Sequence, residues 1–305
     1  MSIDRIVLGC GNFGGIGSDL SLVGKGESDD EAFAIMHASW AGGVRRFDTA
    51  SSYGGGRSER AIGSWVAARE PRGLVLTSKV FNPVRNGDDS GLAPDRIRRV
   101  VRDSIGQLGV ELIDLYMVHE PDPATPLADT LDAFDELVDE GLIGAIGLSN
   151  VDGAYLAEAI SHSRIAAVQN EYSLLVRDAE REVLPLCVEH GIEFQCFSPL
   201  AGGWLTGKYR RDQPFPAGSR MTLRPDVYEG LVRDQVFDSL EQFEARASAR
   251  GVEPAALALA WLLADPAVGG VVVGPRRPAH LDTVGAALEL RLDQTERAEL
   301  SEMFA

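Results

Sequence analysis

From Ser28 onward the chain alternates, almost without interruption, between two kinds of stretch. One kind carries apolar residues at helical spacing, and the other is a short run that is apolar on both sides. Helical patterns cover 29–40, 58–68, 94–108, 127–140, 153–161, 178–190, 234–250, 254–264 and 278–288, and a last one covers 293–303. Extended runs fall between them at 44–47, 74–78, 112–118, 143–147, 166–169, 192–196 and 270–273. Strands apolar on both faces belong in a parallel sheet covered by helices on both sides. An eight-stranded (β/α) barrel and a doubly wound open sheet both satisfy this pattern, and the number and length of the units favour the barrel. The apolar run Ile6-Val7-Leu8 supplies either the eighth strand or a lid. The expected fold is therefore α/β, a (β/α)8 TIM barrel with extra helices and a long irregular segment, 199–233, after the seventh strand. No linker or composition shift divides the chain, so residues 1–305 are expected to form a single domain.

Composition narrows the function. A net charge of −17 argues against a nucleic-acid surface, which needs clustered Lys and Arg to neutralise phosphates. Arg96, Arg98, Arg99 and Arg102 do cluster, but at helical spacing, and read as a solvated helix face. The most apolar region, 255–273, is broken by Asp265-Pro266 and is no single membrane span. Asp4 and Arg5 precede the first short strand, which is not a signal-peptide pattern. Three cysteines, Cys10, Cys187 and Cys196, lack CxxC spacing and suit buried thiols in a reducing, cytoplasmic setting.

Residues 9–14 spell GxGxxG, yet Gly15-Ile16-Gly17-Ser18 follows where a dinucleotide fingerprint opens a helix. The motif is read as a flexible loop. Chemistry gathers instead where strands end, the face on which barrel sites are built. Asp48 and Tyr53 follow one strand, Lys79 the next, and His119-Glu120 the one after. Ser149-Asn150, Gln169-Asn170, Phe197-Ser198 and Gly274 follow further round. A free tyrosine has a pKa near 10, and a nearby ammonium favours its phenolate and makes it a better acid. Lys79 is placed to act so on Tyr53, with Asp48 neutralising the buried Lys79 and His119 bonding a substrate oxygen. An acid aimed at an oxygen, with no nucleophile elbow and no metal-ligand spacing, suggests polarising a carbonyl.

These residues lie in motifs that resemble the aldo-keto reductases over nearly the whole chain. They are RRFDTAxxYGxxxxE (45–59), SK (78–79), LYMVH (115–119), GLSN (147–150), VQNEYS (168–173), SPLAGGWLTGKY (198–209) and VVGPRRP (272–278). The resemblance places the family's catalytic tetrad on Asp48, Tyr53, Lys79 and His119. It implies reversible hydride transfer between NADPH and an aldehyde or ketone, with Tyr53 as general acid. It further implies that Ser149, Asn150 and Gln169 hold the nicotinamide carboxamide and that Phe197 stacks on its ring. Ser198, Leu200, Gly202, Lys208 and Arg220 would surround the pyrophosphate, and Gly274, Arg276 and His280 would meet the adenosine end. Arg276 would face the 2′-phosphate, since a guanidinium binds phosphate with paired hydrogen bonds.

The chain departs from the family pattern in its last cofactor helix. His280, Thr283 and Val284 stand where a glutamine or arginine and then Glu-Asn are usual. Lost adenine contacts leave NADH an alternative cofactor. The chain also stops soon after its final helix, where the family often adds a substrate wall, so a more open mouth is expected. Specificity then falls to loops 81–93, 120–126 and 201–233, with Phe81 and Trp204 as apolar contacts or, for Trp204, simple packing. Two other readings stand beside this one. One is a metal-dependent barrel hydrolase using Asp48, His119 and Glu120; the other is a nicotinamide-binding regulatory protein with weak turnover, like the potassium-channel β subunits of this family. Sugars, small aldehydes and ketones all fit as substrates, and the working direction and oligomeric state stay open.

Overall fold

The computed structural model describes residues 1–305, and Ile6–Gly9 is the strand that closes its barrel. This strand, β1, lies parallel to both β2 (Arg46–Asp48) and β8 (Val268–Val273), with Val7 opposite Arg46 on one side and Val272 on the other. Between them run β3 (Val75–Val80), β4 (Leu115–Val118), β5 (Ile146–Ser149), β6 (Ile165–Glu171) and β7 (Glu193–Phe197). Each pairs with the next in chain order, giving a closed parallel barrel. The open-sheet alternative is thereby excluded.

Helices follow the strands, and local chemistry sets their ends. Ser28 and Glu31 form a reciprocal capping box at the start of Asp29–Ala41. Pro94 opens Pro94–Leu108, and Gly109 ends it in the left-handed conformation. The expected helix over 178–190 is instead a 3-10 turn, Asp178–Glu180, followed by Val183–His190. Pro185 explains the break: inside a continuous helix its ring would meet the carbonyl of Arg181 and a backbone donor would be missing. The segment 199–233 is less irregular than expected, with 3-10 turns at Ala201–Thr206 and Glu229–Leu231 and short helices at Arg220–Leu223 and Pro225–Tyr228. No helix is long and apolar enough to cross a membrane.

Strand alternation decides which side chains reach the barrel axis. Phe47 turns outward onto Trp65 of helix Arg57–Arg69, at 5.3 Å between ring centroids, so Asp48 turns inward. Ser78 turns outward to donate to Glu59 Oε1 at 2.6 Å, so Lys79 turns inward. β3 extends two residues beyond the apolar run, and Lys79 therefore sits within the strand, paired with Met117, rather than after it. Pairing to a neighbour, not hydrophobicity, keeps a parallel strand going.

The core between barrel and helices is one large apolar cluster, whereas the barrel's own interior holds the small group Leu115, Met117 and Ala167, with Val7 and Val272. Polar side chains fill the rest of the interior. Two further expectations change. Arg96 is buried, at 4% exposure, and donates to the carbonyls of Asn82, Asp89 and Gly91, pinning the 82–91 loop onto its helix. Only Arg98, Arg99 and Arg102 remain on the surface, paired with Glu136, Asp89 and Glu140. Trp204 is fully buried among Tyr209, Phe215 and Phe237, so it supports the long segment from beneath and does not line a substrate mouth.

Candidate active site

Asp48, Lys79 and Tyr53 meet at the C-terminal mouth of the barrel because β2 and β3 are adjacent and their inward positions coincide. Lys79 Nζ donates to Asp48 Oδ1 at 2.6 Å, to the Thr49 carbonyl at 2.9 Å and to the Tyr53 hydroxyl at 3.4 Å. Tyr53 lies on a 3-10 turn, Tyr53–Gly55, held by the loop after β1. There the two backbones touch: a Cβ on Gly15 would lie 2.6 Å from Gly54 Cα, and one on Gly54 2.4 Å from the Phe13 carbonyl oxygen. The glycines of the GxGxxG-like loop thus serve close packing behind the tyrosine, and the next α-helix begins only at Asp29. His119, the residue after β4, points Nε2 at the Tyr53 hydroxyl from 3.5 Å, and its Nδ1 is buried without a partner.

The electrostatics of the four set one buried ion pair beside two groups that stay neutral at pH 7. Burial works against the Lys79 charge, but Asp48 and then Tyr53 outweigh it and hold the ammonium above its ordinary value. Burial pushes the Tyr53 phenol up, and Lys79 pulls it back, so the lowered phenol expected from Lys79 alone is not what the folded chain has. Dehydration of the ring is the larger effect. Burial, with the Lys79 charge adding to it, lowers His119 to about 3, which leaves the imidazole neutral at pH 7.

A polar chain continues from Asp48 down the barrel axis. Gln169 Nε2 donates to Asp48 Oδ2 at 2.9 Å and to Gln195 Oε1 at 3.1 Å. Gln195 Nε2 donates to Glu193 Oε2 at 3.1 Å, and Arg46 grips Glu193 with two bonds of 2.7 and 2.8 Å. Glycines in β8 leave room for it: a Cβ on Gly270 would sit 3.0 Å from Gln195 Cγ, and one on Gly269 2.4 Å from Glu193 Cγ. Arg46, Glu193 and Gln195 were not singled out from the sequence, although polar residues inside otherwise apolar strands were the available signal.

The remaining sequence-derived residues fall into two groups. Ser149, Asn150, Gln169, Phe197 and Ser198 lie at the mouth ends of the neighbouring strands β5, β6 and β7. Asn150 is in the left-handed region and donates to the His119 carbonyl at 2.9 Å and to Ser149 Oγ at 3.1 Å. Phe197 ends β7 half-exposed. The second group is cationic. Burial and the charges of Arg220 and Arg276 lower Lys208, and burial with Arg276 and Arg224 lowers Arg220, so these cations crowd one another. His280 accepts from the Arg276 backbone N–H at 3.2 Å and is lowered by burial and by Arg277, Arg276 and Lys208. Leu200 and Gly202 lie on the turn beneath this group, where a Cβ on Gly202 would strike the Tyr228 ring at 2.5 Å. Gly274 follows β8, beside Asn12.

Two members of the second group are already engaged. Arg276 Nε donates to Glu27 Oε1 at 2.9 Å and its Nη1 to the Gly218 carbonyl at 3.0 Å, while Arg220 donates to Asn12 Oδ1. Glu27 stands in no motif, and Asn12 was passed over because the GxGxxG stretch that holds it was read as a flexible loop. Val284 is buried in the core, and Thr283 turns to Glu253 at 3.3 Å.

The structure does not assemble the hydrolase alternative. Both Asp48 oxygens are taken by Lys79 and Gln169, Glu120 accepts from Asn82 at 3.0 Å, and no three His, Cys, Asp or Glu side chains are grouped to hold a metal ion. The residues that are assembled suit a nicotinamide dinucleotide. Gln169 spends its amide N–H groups on Asp48 and Gln195, leaving its carbonyl as acceptor, and Lys208, Arg220 and Arg276 crowd into one cationic group.

Comparison with known proteins agrees. The model of the aldo/keto reductase family matches residues 5–304. An uncharacterized oxidoreductase of Bacillus subtilis is 33% identical, covering 100% of this chain and 93% of its own. The NADH-specific methylglyoxal reductase of Escherichia coli is 33% identical over 86% of this chain and 83% of its own. Among solved structures, a glycerol dehydrogenase from Gluconobacter oxydans superposes with a TM-score of 0.83 at 26% identity, covering 98% of this chain and 90% of that one. On the barrel, the mouth and these matches together, the chain belongs to the aldo/keto reductase family and is an oxidoreductase.

Proposed function

We propose that the protein reversibly reduces a small aldehyde or ketone to an alcohol with NADPH, Tyr53 acting as general acid, and that residues 1–305 carry the whole site on one barrel. The observation that carries this reading is the Tyr53 hydroxyl, 3.4 Å from Lys79 Nζ and 3.5 Å from His119 Nε2. Burial keeps the phenol protonated at neutral pH, as a donor must be. The Lys79 charge stabilises the phenolate left when the proton has gone, and Asp48 holds Lys79 in place. His119, neutral at pH 7, serves as the Nε2 donor to the same carbonyl oxygen and orients it when the proton sits on that nitrogen. When bound, the reduced nicotinamide supplies hydride to the carbonyl carbon.

Ser149, Asn150 and the Gln169 carbonyl are the groups for the carboxamide, and the Phe197 ring face is the surface for the nicotinamide. Ser198, Leu200, Gly202, Lys208 and Arg220 serve the pyrophosphate, and Gly274, Arg276 and His280 the adenosine end. Arg276 at the 2′-position favours NADPH; NADH remains the competing cofactor because Thr283 and Val284 replace the usual Glu-Asn. A small carbonyl compound is the substrate class named for the methylglyoxal reductase relative. The three buried free cysteines fit a reducing, cytoplasmic compartment.

The test is parallel titration with NADPH and NADH, read by the four tryptophans, followed by a carbonyl screen at the NADPH absorbance band. Binding of neither cofactor sinks the reading. Binding without turnover of any carbonyl, unchanged in Tyr53→Phe, would favour the regulatory protein instead.

A further inference from the structure

We propose that Glu27 sets the balance between the two nicotinamide cofactors by competing with the 2′-phosphate for Arg276. The proposal deepens the reading above, in which Arg276 stands at the adenosine 2′-position.

Glu27 is the residue before the N-cap of helix Asp29–Ala41, and its backbone is fixed in a parallel bridge to Phe13. Its N–H donates to the Asn12 carbonyl and its carbonyl accepts from Gly14, both at 2.8 Å, so the side chain has little freedom to withdraw. That side chain is 3% exposed, whereas Arg276 is 46% exposed. One oxygen, Oε1, takes the Arg276 bond at 2.9 Å; the other, Oε2, is buried and has no partner. A buried carboxylate with a single bond is a costly arrangement. Asn12, next to it, holds Arg220 in the same way. The loop after β1 therefore supplies acceptors to the arginines that the cofactor's phosphates need.

The two cofactors meet this arrangement differently. A 2′-phosphate is an acceptor with about two negative charges and no hydrogen for Oε2 at neutral pH. To use Arg276 it must take the guanidinium from Glu27 and leave a buried carboxylate without a partner and facing an anion. A ribose 2′-hydroxyl asks for none of this. It is uncharged and needs no guanidinium, so the Arg276–Glu27 pair can stay closed beside it. Electrostatics of one sign thus penalise NADPH and tolerate NADH, while Arg276 itself acts the opposite way. The net preference is the difference between them.

The test measures dissociation constants of NADPH and NADH for the wild type, Glu27→Gln and Glu27→Ala by tryptophan fluorescence. Glu27→Gln keeps shape and removes the charge, so NADPH should tighten at least about fivefold, the scale of one partly screened charge–charge interaction, with NADH changed less than about twofold. Glu27→Ala, also lacking the charge, should shift the NADPH-to-NADH ratio in the same direction even if its overall stability falls. A merely structural Glu27 would weaken or strengthen both cofactors together. A ratio within about twofold of wild type in both variants overturns the proposal while leaving nicotinamide binding intact. Failure of the wild type to bind either cofactor overturns the proposal together with the reading on which it rests.

Discussion

Replacing Lys79 by Met should cost stability before it costs chemistry. The Lys79 side chain is 0% exposed, 2.6 Å from Asp48 Oδ1, and Asp48 is itself 3% exposed. Removing the cation leaves that carboxylate with the Gln169 amide as its remaining side-chain donor. Breaking a buried ion pair from one side costs about 3–5 kcal/mol, a large part of the roughly 5–15 kcal/mol that holds a domain together. Removing both charges is much milder, because no uncompensated ion remains. Lys79→Met with Asp48→Asn should therefore recover most of the loss and end within about 1–2 kcal/mol of wild type, the new amide oxygen still accepting from Gln169. Lys79 is held above its ordinary value, chiefly by Asp48 against the opposing effect of burial. A raised base contributes its full stability below the unfolded pKa, about 10.4, and loses it as pH rises through the folded value. The Lys79→Met deficit should then be flat from about pH 6 to 9. Guanidinium unfolding, followed by circular dichroism and by tryptophan fluorescence, measures all three variants. A single-variant loss below about 1 kcal/mol, or a double-variant loss equal to the sum of the singles, would refute the idea that the pair is a mutually dependent buried unit.

Other variants separate chemistry from packing. Tyr53→Phe should lower the rate of the chemical step by at least about a hundredfold, with stability within about 1 kcal/mol because the hydroxyl makes only the long 3.4 and 3.5 Å contacts; single-turnover rates and unfolding midpoints check both. Glu59 is pushed up to about 7, burial outweighing the Ser78 hydrogen bond. Its folded form binds a proton more tightly than the unfolded chain, so it destabilises increasingly as pH rises from about 4.5 through 7. Glu59→Gln should accordingly exceed wild type in stability at about pH 8 by up to about 3 kcal/mol, with the gap closing below about pH 4.5 in matched denaturation curves. His119, lowered to about 3, gives the opposite slope: stability present above pH 6.5 is lost as pH falls toward 3, by up to a few kcal/mol, and His119→Gln should flatten that limb of the stability profile. Gln195→Leu should cost about 1–3 kcal/mol, chiefly by taking a buried acceptor from Gln169, since Glu193 keeps both Arg46 bonds, and should weaken nicotinamide binding through the freed Gln169 amide.

What the sequence makes legible here is what depends on period and on strand ends. Alternation of apolar runs and helical stretches is enough for the barrel, and helix Pro94–Leu108 is read to the residue because Pro94 and Gly109 punctuate it. Asp48, Tyr53, Lys79 and His119 are likewise visible, since polar residues closing apolar runs must face either the site or an unfavourable interior. Long-range partnership is not visible. Nothing near Gln195 announces Glu193 below it and Gln169 on the neighbouring strand, and nothing near Glu27 announces Arg276, 249 positions away. Arg96 misleads for the same reason: helical spacing places it on a face, but a loop folds over that face and its guanidinium binds three carbonyls. The Tyr53 phenol shows the limit for energetics. The neighbouring ammonium can be foreseen, but the burial that outweighs it exists only in the folded chain.

The two charged regions of the mouth differ in how they are neutralised, and that difference separates their tasks. At the tetrad, Lys79 is matched by Asp48, Asp48 is held by Gln169, and the chain runs through Gln195 to the Arg46–Glu193 pair. Each link of that chain has a partner, so the support beneath Tyr53 is over-determined and costs no rearrangement when the mouth is filled. At the other end of the cleft, Lys208, Arg220 and Arg276 crowd together, and the buried carboxylate paired with Arg276 leaves an oxygen free. In a chain of net charge −17, an under-neutralised cationic group is retained against the average. Rigid compensation suits the proton donor proposed for Tyr53, whose position must not depend on what is bound. Incomplete compensation suits a site that must exchange partners, because an anion entering it gains the interactions that the resting protein leaves unfilled.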